Sequence, residues 1–316
     1  MLALLYTATL LDLLLTGWCF SAVRLARGHR APYTFLFAAF ILQDLGNAIS
    51  IVLQIISNEL TQHNGPNPHE LVIGGLWWLF ANWGILLVFL SVIAVLRNRE
   101  TAIRIATKGK PGPNNRFTVA YATLALIIFV LGTTSPVLLN DTIRKYQIGL
   151  DGINQQPSAN ASLPKAELDL WHAQRIDVWS DFDWAFRSFV GLTGVVVVIS
   201  TIPLWRACRA AGITDKVLNP HILASMIDTD LLAAFQITNT MLYVVAPLYA
   251  TYILFTYIIP LVLEPQDLTA TNSFITLESV MIAHDLLTTL LHFAIAVALL
   301  RMSSNRKDWN IPEVIA

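Results

Sequence analysis

The sequence predicts an all-α protein that crosses a membrane with seven helices, and three observations lead to this prediction. Only 13% of the 316 residues are charged, whereas soluble proteins average roughly 25%, so the chain has too few charges to cover a water-facing surface. Hydrophobic residues make up 55% of the chain. Seven apolar stretches each reach the roughly 20 residues that a helix needs to cross a bilayer.

The predicted spans form a single membrane domain over residues 1–300. They are Ala3–Val23, Tyr33–Ser57, Leu71–Leu96, Phe117–Leu139, Phe182–Leu204, Leu231–Ile259 and Phe274–Leu300. Span one is interpreted as a helix rather than a signal peptide, because it lacks a basic leader and carries Asp12 in its apolar run. The outer loop 140–181 is predicted to hold an interfacial helix, since charges alternate with tryptophan and aliphatic residues there. Residues 301–316 are a predicted cytosolic tail.

The distribution of Lys and Arg predicts the orientation. The connections after spans one, three and five and the tail contain these residues, whereas the short connections after spans two and six contain none. Basic loops remain in the cytosol, so the N-terminus is expected outside. Two glycosylation sequons, at Asn140 and Asn160, lie on the predicted outer side, and Asn160 is the better acceptor because Asn140 adjoins the membrane. We expect a glycoprotein of a eukaryotic secretory-pathway membrane, the endoplasmic reticulum or the plasma membrane.

Ionisable residues inside spans are costly and therefore mark candidate functional sites. Asp12, Asp44 and Asp285 lie near the middle of spans one, two and seven, which are neighbours in a sequentially wound bundle. We expect these three carboxyls at one depth. Glu278 and His292 each lie two helical turns from Asp285 and extend its stripe on span seven. Clustered carboxyls in a low dielectric do not all ionise, so at least one should keep its proton and serve as a general acid.

Polar residues also recur at helical spacing on three further spans, and these stripes and the one on span seven are expected to converge on one internal cavity. They are Thr9, Asp12, Thr16 and Cys19 in span one, Gln43, Asn47, Ser50 and Gln54 in span two, and Gln236, Asn239, Tyr243 and Pro247 in span six. Alternatively, such stripes hold helices together, at about 0.6 kcal/mol per hydrogen bond on average. The predicted substrate-contacting residues are Trp77, Trp78, Asn82, Asn239 and Tyr243, since aromatic ring faces can stabilise a cation.

No metal and no cofactor are predicted. His284 and His292 are eight residues apart, so on a helix they point about 80° away from each other. The two cysteines, Cys19 and Cys208, are not expected to form a disulfide or a metal site. With 20 basic and 21 acidic residues, the chain has no charge excess that would favour nucleic acid. The predicted partners are the lipid bilayer and a hydrophobic small molecule.

Three classes of function fit the predicted topology. A seven-helix receptor is one, although span three ends without an acidic-Arg-aromatic switch and span seven lacks Asn-Pro-x-x-Tyr. A small-molecule transporter is another, although the first three spans lack the prolines that sugar exporters place in both halves. The favoured class is a membrane-embedded enzyme that uses a buried carboxyl as general acid on a hydrophobic substrate.

In size, topology and placement of carboxyls, the chain resembles fungal integral-membrane terpene cyclases. The resemblance is one of architecture, and no residue is carried over from that family. It implies a cyclase or isomerase that protonates a prenyl epoxide or alkene and shields the carbocation with aromatic rings. Asp285 is the predicted proton donor because it lies deepest, and Glu278, nearer the outer surface, would supply its proton. The receptor and the transporter remain alternatives.

Overall fold

The computed structural model of the chain describes residues 2–25, 30–60, 68–108, 115–155, 162–210, 238–259 and 274–303. These ranges hold seven helices and no strand. The helices are α1 (Leu2–Leu25), α2 (Ala31–Leu60), α3 (Pro68–Lys108), α4 (Asn115–Gln155), α5 (Ser162–Ala210), α6 (238–259) and α7 (Phe274–Ser303). The description omits the side chains at several helix ends, including residues 274–285 of α7.

Five of the described helices are long and apolar enough to cross a bilayer. Their apolar parts are Ala31–Leu53, Gly75–Thr101, Phe117–Ile153, Pro164–Ala207 and Thr238–Ile258. A shorter apolar stretch, Leu286–Met302, lies in α7. The prediction of an all-helical chain is thus confirmed for the described ranges, and five of their helices could span a membrane. The count of seven spans and the orientation stay predictions.

The helix α3 lies at the centre of the bundle. In its apolar part 61% of the residues are buried, compared with 28–39% in the other four apolar helices. It packs against α2, α4 and α5, while α1 packs against α2 and α7, and α6 packs against α5 and α7. In its apolar part, Gly75–Thr101, α3 has no single apolar face. This is expected of a helix that other helices enclose. The first and last helices are neighbours, as the sequence predicts.

Gly132 allows α3, α4 and α5 to approach closely. A Cβ atom at Gly132 would lie 2.8 Å from the ring of Phe186 in α5 and 3.3 Å from Cβ of Asn82 in α3. Asn82 Nδ2 donates a hydrogen bond across this contact to the carbonyl oxygen of Gly132, at 3.0 Å. Membrane helices have no hydrophobic drive to associate, so small residues and interhelical hydrogen bonds hold them together.

The helix α6 alternates between π and α geometry. Met241–Val245 and Leu254–Ile258 are π-helical, and Ala246–Ile253 between them is α-helical. Pro247 is the second residue of the α-helical part. Proline lacks an N–H donor and its ring clashes with the carbonyl one turn earlier, so the turn before Pro247 is where α geometry is hardest to maintain.

Helices α4 and α5 are longer than a bilayer requires. At 1.5 Å per residue, the 49 residues of α5 extend over about 73 Å, against a hydrocarbon core of about 30 Å. Tyr146 of α4 donates its hydroxyl to Asp169 Oδ1 of α5 at 2.7 Å, and its ring lies 4.2 Å from that of His172. The predicted outer loop 140–181 therefore consists largely of two paired helix ends. An interfacial location for its helix stays a prediction.

Candidate functional site

Two of the predicted mid-membrane acids meet at the contact between α1 and α2. Asp12 lies in α1 and Asp44 in α2, and both side chains are half-buried. Asn47 of α2 donates from Nδ2 to Asp12 Oδ2 at 2.9 Å. Thr16 Oγ1 of α1 lies 2.7 Å from Asp44 Oδ2, within hydrogen-bond distance. These four residues are here called the carboxyl cluster. Each helix contributes one carboxyl and one polar side chain, and that side chain contacts the carboxyl of the other helix.

The sequence spacing explains this reciprocal arrangement. Thr16 follows Asp12 by four residues and Asn47 follows Asp44 by three, so each pair lies on one helix face. Asp44 lies about 20 Å along α2 from Ala31, near the middle of a helix long enough to cross a bilayer. The predicted polar stripes of spans one and two do face each other at these four positions.

The carboxyl cluster has fewer hydrogen-bond donors than acceptors. Asp44 Oδ1 is buried and has no hydrogen-bond partner among the described residues. Thr16 Oγ1 lies 2.9 Å from the backbone carbonyl oxygen of Asp12 in addition to its contact with Asp44. A hydroxyl has a single hydrogen to donate, so it cannot fully satisfy both acceptors. The geometry therefore leaves a place for one more proton at Asp44.

His292 of α7 packs beside the helix that carries Asp44. Its ring centroid lies 5.6 Å from that of Phe40 in α2 and 5.6 Å from that of Tyr252 in α6, with an edge-on geometry in both cases. Phe40 precedes Asp44 by one helical turn. The structure thus places His292 between α2 and α6. The side chains of Asp285 and Glu278 lie outside the described residues, and their catalytic roles stay predictions.

The residues predicted to contact a substrate are spread over several places. The Trp77 ring lies 3.3 Å from where a Cβ atom of Gly46 in α2 would be. Trp78 is 37% exposed on the surface of the bundle. Asn82 is buried at the contact with α4, and Asn239 is half-buried at the start of α6. The described contacts thus place Trp77 against α2 and Asn82 against α4.

Tyr243 points away from the bundle and is 68% exposed. The prediction that its stripe on span six faces the interior is therefore wrong at this residue. Tyr243 belongs to the π-helical turn Met241–Val245, and the 3.6-residue period used for the prediction holds only for an α-helix. The bundle side of α6 instead presents Tyr249 and Tyr252, both buried, and the Tyr249 hydroxyl lies 2.9 Å from Thr193 Oγ1 of α5.

A second polar centre, formed by α4 and α5, is held by an ion pair. Arg187 Nε lies 2.6 Å from Asp183 Oδ2, and Ser135 of α4 donates to Asp183 Oδ1 at 3.4 Å. Nearby along α4, Trp83 of α3 donates from Nε1 to Thr133 Oγ1 at 3.0 Å. Here the buried acid has both a cation and a hydroxyl as partners, an arrangement suited to holding helices together.

A groove of about 250 Å³ opens between α5 and α6, on helices other than those of the carboxyl cluster. Its lining residues are Thr201, Ile202, Trp205, Leu242 and Tyr243. The groove brings Tyr243, which faces away from the bundle interior, together with the indole of Trp205. A ligand bound here would lie at the surface of the bundle.

Within the described residues, His, Cys, Asp and Glu side chains form no group of three that could hold a metal ion. No family model, no curated protein and no solved structure matches the chain.

Proposed function

We propose that the protein is a membrane-embedded enzyme of the cyclase or isomerase type, in which Asp44 is the general acid. The observation that carries the proposal is the shortage of donors around Asp44. With a proton on Oδ2, Asp44 can donate to Thr16 Oγ1, and Thr16 can donate to the carbonyl oxygen of Asp12, so both short distances become hydrogen bonds. A neutral carboxyl also makes the buried, unbonded Oδ1 less costly than a carboxylate oxygen would be.

Asp12 is the complementary group in this proposal. The amide of Asn47 donates to it, as suits an acid that is ionised and accepts protons. For a prenyl epoxide, Asp44 protonates the oxygen, the C–O bond breaks and the electron pair of an alkene forms the new C–C bond. The final cation then loses a proton to the Asp12 carboxylate and becomes an alkene. The product is an isomer of the substrate, and return of the proton to Asp44 completes the cycle.

The position of Asp44 suits an apolar substrate. Its neighbours Ile41 and Leu45 are exposed on the surface of α2, which would face lipid in a membrane. A prenyl chain arriving through the bilayer could therefore reach the acid without crossing water. The rings of Phe40 and Tyr252 lie around His292, one turn along α2 from Asp44, where aromatic faces could stabilise a carbocation.

The experiment measures turnover of prenylated epoxides and alkenes by microsomes that contain the protein, with products of unchanged mass identified by mass spectrometry. Asp44→Asn retains the shape of the side chain and a donor but cannot deliver a proton, so turnover should fall by about 10²–10⁴-fold. Asp44→Glu should keep measurable activity. Asp141→Asn, which changes a partly exposed acid paired with Lys145 on α4, should leave turnover unchanged.

Normal turnover by Asp44→Asn would exclude Asp44 as the donor, and Asp285→Asn would then test the donor predicted from the sequence. Absence of turnover by the wild-type protein across the panel would contradict a prenyl substrate. A variant that is inactive only because it fails to fold is recognised by gel filtration, which should show the same monodisperse peak for Asp44→Asn and wild type.

The proposal includes seven spans with the N-terminus outside, in a secretory-pathway membrane. It is supported by the five long apolar helices, by the contact between α1 and α7 and by the distribution of Lys and Arg. In glycosylating microsomes, Asn160 should be modified and Asn160→Gln should remove the modification. An acceptor site introduced between Arg97 and Arg116 should remain unmodified. Modification of that inner site would contradict the proposed orientation.

A further inference from the structure

The groove between α5 and α6 continues a row of exposed apolar residues along α5. Val198, Ile199 and Ile202 are exposed. Ile202 follows Val198 by four residues and Ile199 by three, and Trp205 follows Ile202 by three, so the row lies on one side of the helix. The row leads from the apolar middle of α5 to the groove near its C-terminal end. At about 250 Å³ the groove is smaller than the roughly 300–1,000 Å³ typical of sites for whole small molecules. Its size suits part of a chain-like ligand.

Two arginines stand at the end of this apolar row. Arg209 follows Trp205 by four residues, and its guanidinium carbon lies 5.5 Å from the centroid of the Trp205 ring. Arg206 is exposed and follows Ile202 by four residues, so it belongs to the same face. Tryptophan is enriched where a bilayer meets water, so these guanidinium groups would lie level with lipid headgroups. A guanidinium binds phosphate with two parallel hydrogen bonds.

Among the described residues, basic side chains outnumber acidic ones at the end of the bundle where α5 ends and α6 begins. Its described arginines are Arg24, Arg30, Arg97, Arg99, Arg206, Arg209 and Arg301. Among the described residues near that end, the one acid is Glu100, which lies 3.3 Å from Arg97. This charge would attract anionic rather than zwitterionic lipid.

We propose that the groove binds one anionic phospholipid. Its acyl chain lies in the groove against Trp205 and Tyr243, and its phosphate binds Arg206 and Arg209. A basic residue near an anionic membrane surface contributes about fivefold in affinity, so the two arginines together account for about 25-fold. The apolar row binds the acyl chain of the lipid, and the arginines select its headgroup.

Native mass spectrometry of the purified full chain in detergent tests this proposal. Dioleoylphosphatidylglycerol and dioleoylphosphatidylcholine have the same acyl chains, so a titration with each compares the headgroups alone. The wild-type protein should bind the first phosphatidylglycerol more than tenfold more tightly than phosphatidylcholine. The double variant Arg206→Gln, Arg209→Gln should lose about 25-fold in affinity for phosphatidylglycerol and clearly less for phosphatidylcholine, whose choline cation offsets the charge of its phosphate.

Arg24→Gln is the matched control, because Arg24 stacks on Phe20 at 4.5 Å at the same basic end of the bundle but on α1. It should leave both affinities unchanged. Ile202→Trp fills the groove without changing its charge and should lower the affinity for both lipids to the same extent.

Equal affinity of the wild-type protein for the two lipids would overturn the proposal. So would an equal loss in Arg24→Gln and in the double variant, because the arginines would then act as a diffuse basic surface. A wild-type dimer that holds no lipid and that Ile202→Trp converts to a monomer would show that this face binds a second copy instead.

Discussion

The carboxyl cluster and the ion pair of α5 place the same type of residue in the bundle with different partners. Asp183 has a guanidinium at 2.6 Å and a serine hydroxyl at 3.4 Å. Asp44 Oδ2 lies beside the Thr16 hydroxyl, which also contacts a second acceptor. Asp44 Oδ1 has no hydrogen-bond partner among the described residues. The partners of Asp183 neutralise it, and those of Asp44 do not. A buried aspartate therefore points to chemistry where its surroundings leave it incompletely satisfied.

The largest loss of stability should follow Arg187→Met, because Asp183 would lose its guanidinium partner. Removing one member of a buried ion pair typically costs about 3–5 kcal/mol. The Arg187 side chain is 18% exposed, so we expect a value near the lower end of that range. Thermal unfolding in detergent measures the change. Adding Asp183→Leu to this variant should recover most of the lost stability. If Arg187→Met alone is as stable as wild type, the ion pair does not distinguish Asp183 from Asp44.

A smaller loss is expected for Gly132→Ala. The new Cβ would press on the ring of Phe186 and on Asn82, and would thereby lengthen the hydrogen bond that joins α3 to α4. Overpacking of this kind typically costs about 1–3 kcal/mol. Gly17→Ala is the matched control, because no atom lies within 4 Å of its added Cβ. Equal unfolding temperatures for the two variants would mean that close packing at Gly132 does not contribute to stability.

The smallest change in stability should come from Thr16→Val, which removes the hydroxyl between Asp44 and Asp12. Interhelical hydrogen bonds in membranes contribute about 0.6 kcal/mol on average, so unfolding should change little while turnover falls. Thr133→Val removes a hydroxyl that accepts a hydrogen bond from Trp83 and should have a similar effect on unfolding with no effect on turnover. If the two variants lose turnover equally, the carboxyl cluster has no special role in the reaction.

The proximity of Asp12 and Asp44 could be predicted from the sequence, but their hydrogen-bond partners on the opposite helix could not. Asp12 and Asp44 lie near the middle of adjacent antiparallel helices, and spacings of four and three residues place Thr16 and Asn47 beside them. The shared faces follow from helix periodicity, and the proximity of the two acids follows from the expected adjacency of the two spans. The double use of the Thr16 hydroxyl depends on the distance between the two helices to within a few tenths of an ångström, and periodicity does not specify that distance.

A helix was predicted within the loop before span five, but the end of α4 beyond Leu139 and its pairing with α5 were not predicted, because the α4 segment has the composition of a loop. Charged residues such as Arg144, Lys145 and Asp151 interrupt the apolar pattern beyond Leu139. The helices continue there because each packs on the other, as in the hydrogen bond between Tyr146 and Asp169. Packing against a partner stabilises a helix that its own sequence would not maintain, and one segment considered alone contains no sign of the partner.

The π-helical turns of α6 also affect how the chain can tolerate changes in length. A π turn holds one residue more than the α turn that could replace it, so loss of one residue within Met241–Val245 would leave Tyr249 and Tyr252 facing the bundle. The same deletion in a regular helix such as α3 would rotate all later residues by about 100° and turn buried side chains toward lipid. Loss of a single residue can therefore be accepted in the π-helical turns of α6, whereas α3 would not accept it.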